Sequence, residues 1–203
     1  AGIPKNNNPE KTGIYEDIRG AETKYLPYHL KTTLQETGHW GAVRVIPSEE
    51  VFTDLIIKGQ IEKSDGEYIE IKFSVSDASN QSWFSRSYEA QTGLTSYSKR
   101  RDRRRDPYQK VFNDFANDLQ LHAELMSSRQ LKQIRQISEL KFFQDMSPAA
   151  YNEYLGIADD GTINILRLPA KSDPSVDRMR QIRERDRLVV DTLNEHYANF
   201  YYG

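Results

Sequence analysis

Cysteine is absent from this chain of 203 residues. Disulfide staples, thiolate metal sites and cysteine nucleophiles are thereby excluded. No apolar run approaches the ~20 residues that a membrane-spanning helix needs. Histidine is scarce, and His29, His39, His122 and His196 lie far apart, none at a metalloprotease spacing. Each is expected to be a surface or packing residue. The GxSxG, GxGxxG and Walker patterns are missing as well. Asp159-Asp160-Gly161 has the composition of a calcium loop, but the later bidentate glutamate is not in place, and a simple turn explains it. No catalytic residue, cofactor site or metal site is assigned, and the chain is expected to be non-enzymatic.

Charge of one sign is also lacking overall. The formal net charge is −2, with 29% charged and 37% hydrophobic residues. Such an average surface favours neither nucleic acid nor anionic membranes. One stretch breaks the average. Lys99, Arg100, Arg101, Arg103, Arg104 and Arg105 surround the single acid Asp102, a local +5 that leaves −7 on the remainder. Guanidinium forks suit phosphates and carboxylates, so this loop is a candidate dock for an acidic partner, a lipid headgroup or an anionic polymer. A solvated connector accounts for it equally, and no nucleic-acid-binding motif accompanies it.

Periodicity supplies the architecture. In DLIIKGQIEKSDGEYIEIKFSVSDASNQSWFSRSYEA, residues 54–90, apolar side chains recur at a period of two: Ile57, Ile61, then Ile69, Ile71, Phe73, Val75, then Trp83 and Tyr88. That period predicts three antiparallel strands with one buried face. Asp65-Gly66 and Asp77-Ala78-Ser79-Asn80 supply the turns. Trp40–Ile46 reads as a further strand, closed by Pro47. Leu26, Leu30 and Leu34 predict a helix over 24–37, stopped at Gly38.

Three helix starts share one form. Asp106-Pro107, Ser147-Pro148 and Asp173-Pro174 each set a capping oxygen before a proline at the first helical position. The first predicts a helix over 107–126, with Val111, Phe112, Phe115, Leu119 and Leu125 mainly inward. Ser127 or Ser128 caps a second helix reaching Met146, with Leu131, Ile134, Ile137, Leu140 and Phe143 on its stripe. The Ser147-Pro148 start opens a short helix, and a small hairpin is expected around Asp160-Gly161. The last helix runs from Asp173 towards Tyr202, with Val176, Met179, Ile182, Val189, Leu193, Tyr197 and Phe200 at 3/4 spacing and a polar break at Asp186. Its mixed charges, Arg178 to Arg187, are expected on a solvated face. Tyr197, Phe200, Tyr201 and Tyr202 need cover, either from the chain's own core or from a partner.

These elements define an α+β fold: a small, mostly antiparallel sheet of four or five strands with flanking helices, then a helical segment. The expected organisation is a flexible arm over 1–20, a sheet domain over 21–98, the basic loop over 99–106 and a helical region packed on the sheet over 107–203.

The segment Leu30–Ala90 resembles the amino-terminal TolB-like domain also seen in CsgG-like lipoproteins of curli secretion. The resemblance is carried by WGAVRVIP, by a short Asp-apolar-apolar-x-x-Gly strand at Asp54 and Gly59, and by Asp77 and Trp83 around the second turn. It covers under a third of the chain, and residues 107–203 lie outside it. More loosely, the whole chain looks like envelope lipoproteins of Gram-negative bacteria. The resemblance implies a periplasmic or outer-membrane setting, a tendency to assemble into larger complexes, and no catalytic residues. The expected function is a non-enzymatic scaffold or accessory subunit of a secretion, pilus or flagellar assembly. Its partners would be envelope proteins or further copies of the chain. The start at Ala-Gly rather than Met allows for a leader or a lipidated cysteine upstream, which would be the only link to a membrane. A soluble module binding an anionic ligand through Arg100–Arg105 is the alternative.

Overall fold

The computed structural model describes residues 16–46, 52–65, 67–91 and 108–202, with the side chains of 16–24 and 197–202 excepted. Five helices and five strands occur among them: α1 (Glu16–Glu36), β1 (Leu55–Ser64), β2 (Tyr68–Asp77), β3 (Ser82–Gln91), α2 (Gln109–Glu124), α3 (Ser128–Met146), α4 (Pro148–Tyr151), β4 (Leu155–Ile157), β5 (Ile163–Ile165) and α5 (Pro174–Tyr202). The fold is α+β. One sheet has the order β1-β2-β3, and β4-β5 form a separate antiparallel pair.

Two expectations about the sheet need correction. It has three strands, not four or five, because the second hairpin pairs only with itself. Trp40–Ile46 is not a strand. Trp40, Val43, Val45 and Ile46 are half-buried, but alternation makes a strand only where a ladder of amides forms with a neighbouring edge, and neither sheet includes this segment.

The chain divides into two compact units, each discontinuous in sequence. The first comprises Ala1–Val45, Ile57–Ser74 and Phe84–Glu124, and the second Ile46–Ile56, Val75–Trp83 and Leu125–Gly203. The boundaries fall inside β1, β2 and β3, whose residues are divided between the units.

The first unit is built on aromatic packing. Val111, Phe112, Phe115 and Leu119 recur at helical spacing on α2 and are completely buried or nearly so. The Phe115 ring lies 4.4 Å from Phe73 of β2, and meets Tyr88 of β3 edge-on at 5.7 Å. Leu30 and Leu34 of α1 are buried, and Gln109 Nε2 donates to Thr33 Oγ1 at 3.0 Å. α1 ends where Gly38 turns into the left-handed region at φ +68°, its amide donating to the Gln35 carbonyl. The helix begins at Glu16, earlier than expected, and carries Pro27 in its interior. Leu125, expected inward, is 83% exposed because α2 stops at Glu124.

The second unit centres on Leu140, Phe142, Phe143, Tyr151 and Val176, against which Phe52, Tyr154, Leu155, Ile165 and Met179 pack. α3 opens with a complete capping box. The Gln130 amide donates to Ser127 Oγ, and the Gln130 side chain accepts from the Ser127 amide. The Ser147-Pro148 start gives a single turn, but the Ser147 hydroxyl makes no cap, and its carbonyl accepts from Ala150 and Tyr151 instead. At Asp173 the expected cap is present, since Oδ1 accepts from the Ser175 amide at 2.9 Å. In the β4-β5 hairpin Leu155 faces Ile165 and Ile157 faces Ile163. Its turn uses Gly161 at φ +83°, and Asp160 Oδ1 accepts from the Thr162 amide.

Candidate docking surface

The basic-loop candidates Lys99, Arg100, Arg101, Arg103, Arg104 and Arg105 lie outside the described residues, as does the Asp106-Pro107 start. Tyr197, Phe200, Tyr201 and Tyr202 fall on α5, but their side chains are likewise outside what is described. The candidate surface is therefore built from the described residues of α5 and its unit.

α5 has 29 residues and is about 43 Å long at 1.5 Å per residue. One face turns to its own unit. Val176 is buried, Met179 packs on the core, and further along the same face come Arg183 and Asn194, 8% and 4% exposed. This is a departure from the expectation that the arginines line a solvated face. Arg180 does so and forks onto Glu139 of α3 at 2.7 and 3.3 Å, while Arg187 is half-buried and pairs with Glu184. Arg183 instead enters the interior, where its Nη2 donates to the Phe52 carbonyl at 2.9 Å and to Ser138 Oγ. Its Nε has no partner among the described residues. Desolvation pushes the Arg183 guanidinium below its ordinary range, and the neighbouring Arg187 charge adds to this. The sequence signal was present in the register: positions 176, 179, 183, 187, 190 and 194 form one helical face, so Arg183 shares it with Val176.

The opposite assignment holds for the apolar residues. Ile182, Val189 and Leu193 lie on one stripe and are 37%, 60% and 52% exposed. α5 thus leaves a second apolar stripe outward while burying an arginine and an asparagine on the face of Val176. A helix patterned this way leaves apolar area uncovered in the isolated chain. A smaller exposed group stands on the β4-β5 hairpin, where Ile157, Leu166 and Leu168 face solvent and Leu166 covers the Cα of Gly156.

Two polar clusters were not legible in the sequence. Asp77 is buried at the end of β2, and its Oδ1 accepts from the Ser79 amide (2.8 Å), the Ser79 hydroxyl and the Gln81 amide (3.3 Å). Its Oδ2 accepts from the Trp83 indole at 3.0 Å. Lys141 lies close by, donating to the Ala78 carbonyl at 3.2 Å. Burial pushes the Lys141 ammonium down, opposed by the Asp77 charge. With four donors on its two oxygens, the Asp77 carboxylate is committed to organising the turn, and Asn80 beside it takes the left-handed conformation at φ +66°. In the first unit, the Tyr88 hydroxyl (2.7 Å) and Arg86 (2.5 Å) both donate to Asp118 Oδ2. Burial, reinforced by the hydrogen bond to Asp118, raises the Tyr88 phenol far above its ordinary value. A phenol so held is a hydrogen-bond donor fixing β3 to α2, not a proton carrier near neutral pH.

Among the described residues no group of three or more histidine, aspartate or glutamate side chains is placed to hold a metal ion. No described helix is long and apolar enough to cross a membrane. No protein-family model matches the chain, and neither the curated proteins nor the solved structures contain a match to it.

Proposed function

We propose that this protein is a non-enzymatic scaffold or accessory subunit that works by docking, with the outward stripe of α5 as its principal contact surface. The observation that carries the reading is the exposure of Val189 and Leu193, both more than half accessible on a long helix that is otherwise anchored by Val176 and the Arg180–Glu139 fork. Apolar residues held at fixed 3/4 spacing on a rigid helix cost solvation free energy when bare and repay it when a partner covers them. Within the same unit, the four hydrogen bonds on Asp77 and the Arg183 contacts to Phe52 and Ser138 tie the turn and the helix to the core.

A bacterial-envelope setting, in the periplasm or at the outer membrane, rests on the TolB-like resemblance of residues 30–90. The assembly served would be a secretion, pilus or flagellar complex. The reading is tested in extracts of the cells that make the protein. The wild-type chain should migrate in a larger assembly, and Leu193→Asp should release it at the mass of the free chain. Identical migration of the two would sink the proposal.

A further inference from the structure

From the register of its exposed stripe, we infer that α5 pairs antiparallel with α5 of a second copy of this chain. The inference rests on the docking reading above and names the occupant of that surface.

Ile182, Asp186, Val189, Leu193 and His196 recur along α5 at intervals of four, three, four and three, the spacing of a coiled-coil seam. Asp186 and His196 are exposed like their apolar neighbours. The seam is complementary to its own reverse. When two copies run antiparallel with Val189 of one opposite Leu193 of the other, the same register sets Asp186 opposite His196. The dyad then repeats both layers. A carboxylate facing an imidazole accepts a hydrogen bond from it whether the ring is neutral or charged. Thr192 lies beside the seam next to the dyad, so no like charges meet there.

Charge decides the orientation. A parallel, in-register pair would stack Asp186 on Asp186 and His196 on His196, placing two carboxylates together in a partly dry seam. The antiparallel pair removes both conflicts and keeps the Val189–Leu193 layer, formed twice about the dyad. The Asp186–His196 layer occurs twice, once on each side of the dyad, and polar layers in an apolar seam fix register at some cost in stability.

The absence of cysteine permits a direct test. Purified Val189→Cys and Leu193→Cys chains, mixed and oxidised, should cross-link to each other at least tenfold more than either does alone. Light scattering of the unmodified purified chain should give twice the chain mass. Asp186→His and His196→Asp should each weaken association at least tenfold, and the double exchange should restore it. Because all these side chains are exposed, folding is not at stake, and circular dichroism of each variant checks that. Cross-linking of Val189→Cys alone in preference to the mixture would overturn the antiparallel register. A monomer at every concentration would overturn the second copy as occupant. If the native assembly still required Leu193 in that case, the docking reading would stand with a different partner.

Discussion

Single residues in this protein divide into those that close a hydrogen-bond account and those that leave one open. Asp77 closes four. Truncating it strands the Trp83 indole and the Ser79 amide in a buried turn, and unpaired buried donors cost about 1–3 kcal/mol each. Asp77→Ala should therefore lower unfolding stability by about 3 kcal/mol in a urea titration followed by tryptophan fluorescence. A loss below about 1 kcal/mol would mean that the turn finds other acceptors. Arg183 leaves its account open, with a buried Nε and no carboxylate within ion-pairing distance among the described residues. Replacing a poorly compensated buried charge by an apolar residue of similar length is commonly neutral or stabilising. The Phe52 carbonyl keeps a donor in Ser138. Arg183→Met should leave the denaturation midpoint unchanged or raise it. A clear drop would show that the guanidinium contributes more than its desolvation costs.

At the scale of elements, the ends matter more than the middles. α3 owes its start to the Ser127–Gln130 box, and Ser127→Ala should cost about 1 kcal/mol, the usual value for an N-cap. Gln130→Ala in the same background should add less than its separate effect, since the two groups satisfy one another. The β4-β5 turn and the α5 start carry carboxylates held below the ordinary 3.8. Asp160 is lowered mainly by the Thr162 amide, and Asp173 by the Ser175 hydroxyl and amide. A depressed folded value gives stability that is present above 3.8 and is lost as pH falls through the lowered folded value. The difference in stability between about pH 7 and about pH 3 should therefore shrink in Asp160→Asn compared with the wild type. An unchanged difference would place the acid sensitivity elsewhere.

For the whole molecule, the telling quantity is how stability depends on concentration. A protein that binds a second copy of itself in the native state gains stability by mass action. The thermal midpoint of the wild type should rise with chain concentration, while that of Leu193→Glu should not. The seam buries apolar layers with one carboxylate–imidazole contact repeated by the dyad, so its strength should change little between low and high salt. Association that collapses at high salt would point instead to charge, and towards the arginine-rich stretch.

The sequence by itself determined the element list, because local physics writes it. A period of two over 54–90 gave the meander, 3/4 spacing gave the helices, and Ser127, Asp173, Gly38 and Asp160-Gly161 marked their ends through groups a few residues apart. The apolar stripe of α5 was equally legible as a pattern. The register sets Arg183 on the face of Val176 and Met179, but only tertiary structure decided that this face, and not the stripe of Ile182, Val189 and Leu193, turns inward. Burial depends on what packs from elsewhere in the chain, here Phe52 and Ser138, which drew Arg183 inward and left Val189 and Leu193 outside. The same reason applies to Trp40–Ile46, whose composition favours a strand but which enters neither sheet. It applies to Asp77 as well, since a carboxylate in a turn becomes a buried anchor only once Trp83 and Lys141 close around it.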